Sequence, residues 1–180
     1  MRSVCPALIL SLVVASAAAA FVLAVRNYMG RPSQDRLGPE EQVSIAALRP
    51  PLPPPSFLAC PPDYCTAGVA GISSPIFALP WDRLRDDWAK MIGGELRVVR
   101  VSAEQQGRRL TYIQHSFLFR FPDIVTVEFV PLGPESSSIA LYSRSRYGHY
   151  DFHQNRRRVE TWLSTLERLA DPAGSPPPVR

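Results

Sequence analysis

The sequence predicts an α+β domain, an antiparallel sheet of about four strands packed against two helices, behind an N-terminal membrane segment. Three observations carry this. Val4 to Val25 holds no charged residue, two later stretches repeat apolar residues at helical spacing, and residues 95–146 alternate β-branched and aromatic residues between turn signals. With 180 residues, 46% hydrophobic and 20% charged, the chain has room for one folded unit plus appendages. The composition excludes a wholly disordered chain and a polytopic membrane protein.

The apolar run comes first. Its 22 residues would form a helix of roughly 33 Å, enough to cross a bilayer core of about 30 Å. Arg2, the run Leu8 to Val14 and the alanines at 15–20 also fit a cleavable signal segment. Phe21 to Val25 resume the apolar stretch beyond those alanines, so an anchor over residues 1–25 is the preferred reading. Residues 26–56 read as a linker: Arg49-Pro50-Pro51-Leu52-Pro53-Pro54-Pro55 predicts an extended, stiff polyproline spacer.

A folded body is expected over residues 57–170. Trp81, Leu84, Trp88 and Met91 recur at helical spacing before Gly93-Gly94, predicting a helix over 81–92 whose aromatic stripe is core. Strands are expected at 95–102, 109–121, 124–130 and 138–146, separated by Gly107, Pro122 and the turn at 131–137. In the second of these Thr111, Ile113, His115, Phe117, Phe119 and Phe121 share one face by the period of two. The last helix carries Phe152, Asn155, Val159, Trp162, Leu163, Leu166 and Leu169 as a stripe against the sheet. Asp151 with Gln154 reads as its capping box, and Asn155 as a buried amide tying the loop to the helix. Residues 171–180, with four prolines, read as a disordered tail.

Charge and cysteines place the body. Net charge is +4 and, of the 20 basic residues, only Lys90 is lysine. That surplus is too small for a dedicated nucleic-acid binder, and no nucleic-acid partner is expected. Arg26, Arg31 and Arg36 after the anchor favour a cytoplasmic body by the positive-inside rule. Cys60 and Cys65 point the other way, since a short prolyl loop between two thiols closes as a disulfide in an oxidising compartment. Two cysteines supply half of a zinc site, so no metal is assigned. The body is assigned to the periplasm, with the cytoplasmic side left open.

Residues 142–160 carry a resemblance. Within Tyr142-Ser143-Arg144-Ser145-Arg146-Tyr147-Gly148-His149-Tyr150-Asp151-Phe152-His153-Gln154-Asn155-Arg156-Arg157-Arg158-Val159-Glu160, the positions Ser143, Ser145, Arg146, Gly148, Asp151, Asn155, Arg156, Arg158, Val159 and Glu160 match a pattern R-S-x-S-R-x-G-x-x-D-x-G-x-N-R-x-R-V-E. The segment resembles the C-terminal signature of the domain-of-unknown-function family 1499, and the resemblance extends over about Cys60 to Leu169. It implies bacterial or plastid relatives, often beside membrane segments, and no established activity. The chain departs at three points. His153 stands where glycine is usual, the first arginine is shifted to Arg144, and Val125-Thr126 replace an acidic pair before Val127-Glu128-Phe129.

Three functional classes follow. The first is a membrane-tethered binding or scaffolding module of the cell envelope, with no cofactor. The second is a hydrolase-like or metal-dependent enzyme using His149, Asp151 or His153 with Glu128. The third is nucleic-acid binding through Arg156-Arg157-Arg158, which a membrane anchor disfavours. Within the first class, Tyr142, Arg144 and Arg146 share a strand face, and the turn at Gly148 is expected to bring those guanidinium groups to the start of the last helix. With Asp151, Asn155 and Arg156 they form a candidate site for an anionic envelope ligand. Asp151 is the alternative, internal acceptor.

Overall fold

The computed structural model describes residues 6–170; Arg2 and the segment read as a disordered tail, 171–180, lie outside the described residues. Among the described residues three α-helices, α1 (Pro6–Met29), α2 (Trp81–Gly93) and α3 (Gln154–Ala170), accompany seven strands. These are β1 (Ser56–Cys60), β2 (Ile72–Ser73), β3 (Ile76–Phe77), β4 (Val98–Glu104), β5 (Arg109–His115), β6 (Pro122–Gly133) and β7 (Ser136–Ser145). Their order is β2-β1-β7-β6-β5-β4, and β3 also pairs with β7.

The α+β class and the antiparallel meander β4 to β7 follow the expected pattern. The sheet is larger than four strands and is mixed, because β1 pairs in parallel with β2. The three added strands are five and two residues long, too short for an alternation to be read in sequence.

Alternation decides what each face holds. Leu110 and Tyr112, Val125, Val127 and Phe129, and Ile139 and Leu141 face α2 and α3 in the main core. Trp88 is its centre, edge-on to Trp162 at 5.7 Å and to Phe129 at 6.3 Å, with its indole N–H donating to the Tyr112 hydroxyl at 3.1 Å. Burying an aromatic with its one polar group satisfied retains the full apolar gain, about 1.5–3 kcal/mol for a side chain of this kind.

The opposite face is covered too. Leu58, Cys60, Val130, Ala140 and Tyr142 pack with Ile45 and Val69, against which Val43, Leu48 and Leu52 lean. Residues 43–52 of the segment read as a linker therefore lie on the sheet. Their apolar side chains bury there, and the segment's backbone supplies partners for polar groups of that face. The Ile45 N–H donates to Glu128 Oε1 at 3.0 Å, and the Pro55 carbonyl accepts from the Ser145 N–H at 3.0 Å. This second cover explains why β6 is buried without interruption from Pro122 to Val130. Cys60 and Cys65 are joined by a disulfide with Cα atoms 6.3 Å apart, at the edge of this layer.

Two further expectations are corrected. β5 ends at His115, and Pro122, instead of closing that strand, opens β6 opposite it. Ser116 to Phe121 form a loop, closed by the Ser116 N–H donating to the Phe121 carbonyl at 2.9 Å. The last helix begins at Gln154, because Phe152 and His153 take φ of 53° and 61°. Phe152 is 70% exposed and outside the apolar stripe.

Candidate functional site

The signature residues meet where β7 leaves the sheet and α3 begins. Ser143 points to the helix side of the sheet and donates to Asn155 Oδ1 at 2.6 Å. The Asn155 amide nitrogen donates to Asp151 Oδ2 at 2.7 Å, Ser145 Oγ at 3.1 Å and the Pro55 carbonyl at 3.3 Å. At 1% exposure this amide uses both donors and its acceptor, the role expected of it. It ties β7, the proline segment and the helix start together.

Arg158, one turn further along α3, completes the cluster. Its guanidinium donates to Ser143 Oγ at 2.7 Å, Asn155 Oδ1 at 2.9 Å and Asp123 Oδ2 at 2.6 Å, and also to Gln114 Oε1. Sequence reading missed Arg158, Ser143, Asp123 and Gln114 as a unit. One signal was available: Arg158 stands three residues after Asn155, on the face that carries Val159 and Trp162 inward. The partners Asp123 and Gln114, on β6 and β5, had none.

Asp151 caps α3 without the predicted box. Its Oδ2 accepts from the Asn155 N–H at 2.9 Å and its Oδ1 from the His153 N–H at 3.1 Å. Burial pushes this carboxyl up, and the hydrogen bonds from Asn155 and His153 outweigh it, so the group titrates below its ordinary range.

The proposed convergence of arginines on the helix start does not occur. Tyr142, Arg144 and Arg146 do share a face, but α3 packs on the other one, with Ser143. Arg146 instead grips Glu41 through Nε–Oε1 and Nη2–Oε2, both 2.6 Å, and donates to the Arg36 carbonyl at 2.6 Å. Arg144 donates to the Glu41 carbonyl at 2.8 Å and lies over the Tyr142 ring. Arg156 pairs with Glu160 at 2.8 Å and covers the Phe57 ring at 5.4 Å. The triple arginine is therefore split among a surface pair, the exposed Arg157 and the half-buried Arg158.

The enzyme constellation is dispersed in the same way. Glu128 lies on the face away from α3, where it accepts from Arg109 Nε at 2.6 Å and the Tyr64 hydroxyl at 2.7 Å. Burial first, and then the Glu128 carboxylate, raise the Tyr64 hydroxyl well above its ordinary range, so it stays a donor. His149 and His153 are exposed beyond the sheet end, and Asp151 is committed to the cap. Among the described residues no three of His, Cys, Asp and Glu are grouped to hold a metal ion. Two surface depressions, of about 310 and 390 Å³, are lined by none of Arg146, Asp151, Asn155 or Arg158.

The site thus defines a small α+β protein with a hydrogen-bonded junction between a sheet and its last helix. The chain belongs to the family described as protein of unknown function (DUF1499), whose profile matches residues 73–166, a little more than half of its length. The match takes in the signature and stops short of the Cys60–Cys65 loop. Comparison with curated proteins found no match.

Proposed function

We infer that this chain is a membrane-tethered domain of the cell envelope that acts as a binding or scaffolding module. The observation that carries the reading is α1. Residues 10–29 are long and apolar enough to cross a membrane, and none of them is buried. Leu10, Leu12, Val13, Val14, Phe21 and Leu23 are 57–67% exposed around the helix. A helix that is apolar all round, with no protein to cover it, belongs in lipid.

The wiring of the signature supports a module over an enzyme. Asp123, Asp151, Asn155 and Arg158 are engaged with one another, so their charge and donors serve the fold. The Cys60–Cys65 pair favours an oxidising compartment for the body, which suits a periplasmic side.

Membrane fractions tested by alkaline extraction, with alkylation before reduction, examine both parts. The full-length chain is expected to stay in the pellet with Cys60 and Cys65 unmodified. Release into the supernatant, or a mature terminus among the alanines at 15–20, would remove the tether. Alkylated Cys60 and Cys65 would move the body to the cytoplasmic side.

A further inference from the structure

We propose that the loop between β5 and β6, Ser116 to Phe121, is a second membrane contact, which seats the body on the bilayer that α1 spans. The proposal rests on the reading of α1 as an anchor and adds the orientation of the body to it.

The loop presents apolar side chains to solvent. Phe117 is 73% exposed, Leu118 52% and Phe121 37%. The loop is also preformed. The Phe121 N–H donates to Ser116 Oγ at 3.0 Å, the Ser116 N–H to the Phe121 carbonyl at 2.9 Å, and the Arg120 carbonyl meets His115 Nδ1 at 2.8 Å. Apolar side chains held outward on a closed loop mark an interaction surface.

Its partner is indicated by where α1 leaves the membrane. Arg26 Nη1 donates to the Phe117 carbonyl at 2.8 Å and to the Leu118 carbonyl at 3.4 Å. Arg26 lies three residues before Met29, the last residue of α1, about 5 Å below that helix end at about 1.5 Å of rise per residue. The loop backbone therefore lies beside the last turn of α1, which on the anchor reading is where headgroups meet acyl chains.

The surroundings have the composition of that zone. The Arg97 guanidinium lies 5.5 Å from the Phe117 ring and that of Arg31 5.2 Å from the Tyr28 ring. The Arg120 side chain lies beside Gly30, just past the helix end. Arginines with an aromatic collar around an apolar tip match anionic headgroups above and acyl chains below. A bilayer is thus the occupant that suits the loop's depth, charge and apolar tip together.

Collision accessibility of a nitroxide label tests this on the full chain. Leu118→Cys would be labelled on a Cys5→Ser background, in vesicles of phosphatidylcholine and phosphatidylglycerol. Val14→Cys in mid-helix and Glu135→Cys in the β6–β7 turn, at the far end of the twelve-residue β6, serve as references. The label at 118 is expected to fall between the two references, several-fold more accessible to oxygen relative to a soluble nickel chelate than the label at 135 and less so than that at 14. A label at 118 as open to the chelate as that at 135, with 14 still in lipid, would overturn the loop contact and leave the anchor intact. Protection of 118 from both reagents would assign the loop to a protein partner and also overturn it. A label at 14 open to the chelate would remove the anchor, and this inference with it.

Discussion

Arg146 and Glu41 stand 105 positions apart and form a two-pronged ion pair, with both N–O distances 2.6 Å. Their side chains are 10% and 15% exposed. The pair fastens the segment before the proline run to the last central strand, and so closes the second layer over the sheet. Removing one member of a largely buried pair strands the other charge, at a cost of about 3 kcal/mol. Arg146→Met is expected to lower stability by that amount. Denaturant unfolding in micelles, followed by tryptophan fluorescence, measures it. Glu41→Met combined with Arg146→Met should recover part of the loss, because no charge is then left unpaired.

Asn155→Leu attacks the junction on the other face. It takes the acceptor of the Ser143 hydroxyl and the donor to the Ser145 hydroxyl, and removes one acceptor from Arg158. At about 1–3 kcal/mol for each buried polar group left unpaired, a loss of at least about 2 kcal/mol is expected in the same assay. An unchanged midpoint would show that the amide network is not structural.

His153 accounts for a departure from the family pattern. Its φ of 61° is the left-handed region that glycine adopts without strain, and the pattern the segment resembles has glycine at this position. His153→Gly should relieve about 1–2 kcal/mol of strain against about 0.4–1 kcal/mol of added freedom in the unfolded chain. A net rise of a few tenths to about 1 kcal/mol is expected, read as a higher Tm.

Acid should loosen both layers together. Burial raises the Asp151 and Glu41 carboxyls, and the bonds that lower them together outweigh it, from Asn155 and His153 to Asp151 and from Arg146 and the Gly38 N–H to Glu41. Both therefore titrate below their unfolded values of about 4. Their stabilisation is fully present above that pH and is lost as pH falls through the lower folded values. Tm should be insensitive to these two groups near neutrality and drop below about pH 4. Asp151→Asn should reduce the steepness of that fall.

The sequence by itself determined the elements whose signal is local. α2, α3 and the meander β4 to β7 were legible because a helix repeats its buried face every three to four residues and a strand every two. The apolar run of α1 was legible from its length without a charge, the signature at 142–160 from its resemblance to a family pattern, and the inward amide of Asn155 from the stripe of the last helix. The tertiary structure decided what those faces meet. Tyr142, Arg144 and Arg146 were correctly assigned to one face, but the period of two leaves open which face α3 will cover. Ser143 took the helix, and the arginines took Glu41. The proline segment carries too few apolar residues to announce a layer, yet it covers a sheet face that would otherwise expose Leu58, Val130 and Tyr142. Short edge strands and pairs such as Arg158 with Asp123 likewise exist only once distant segments are brought together, and no local period records which segments those will be.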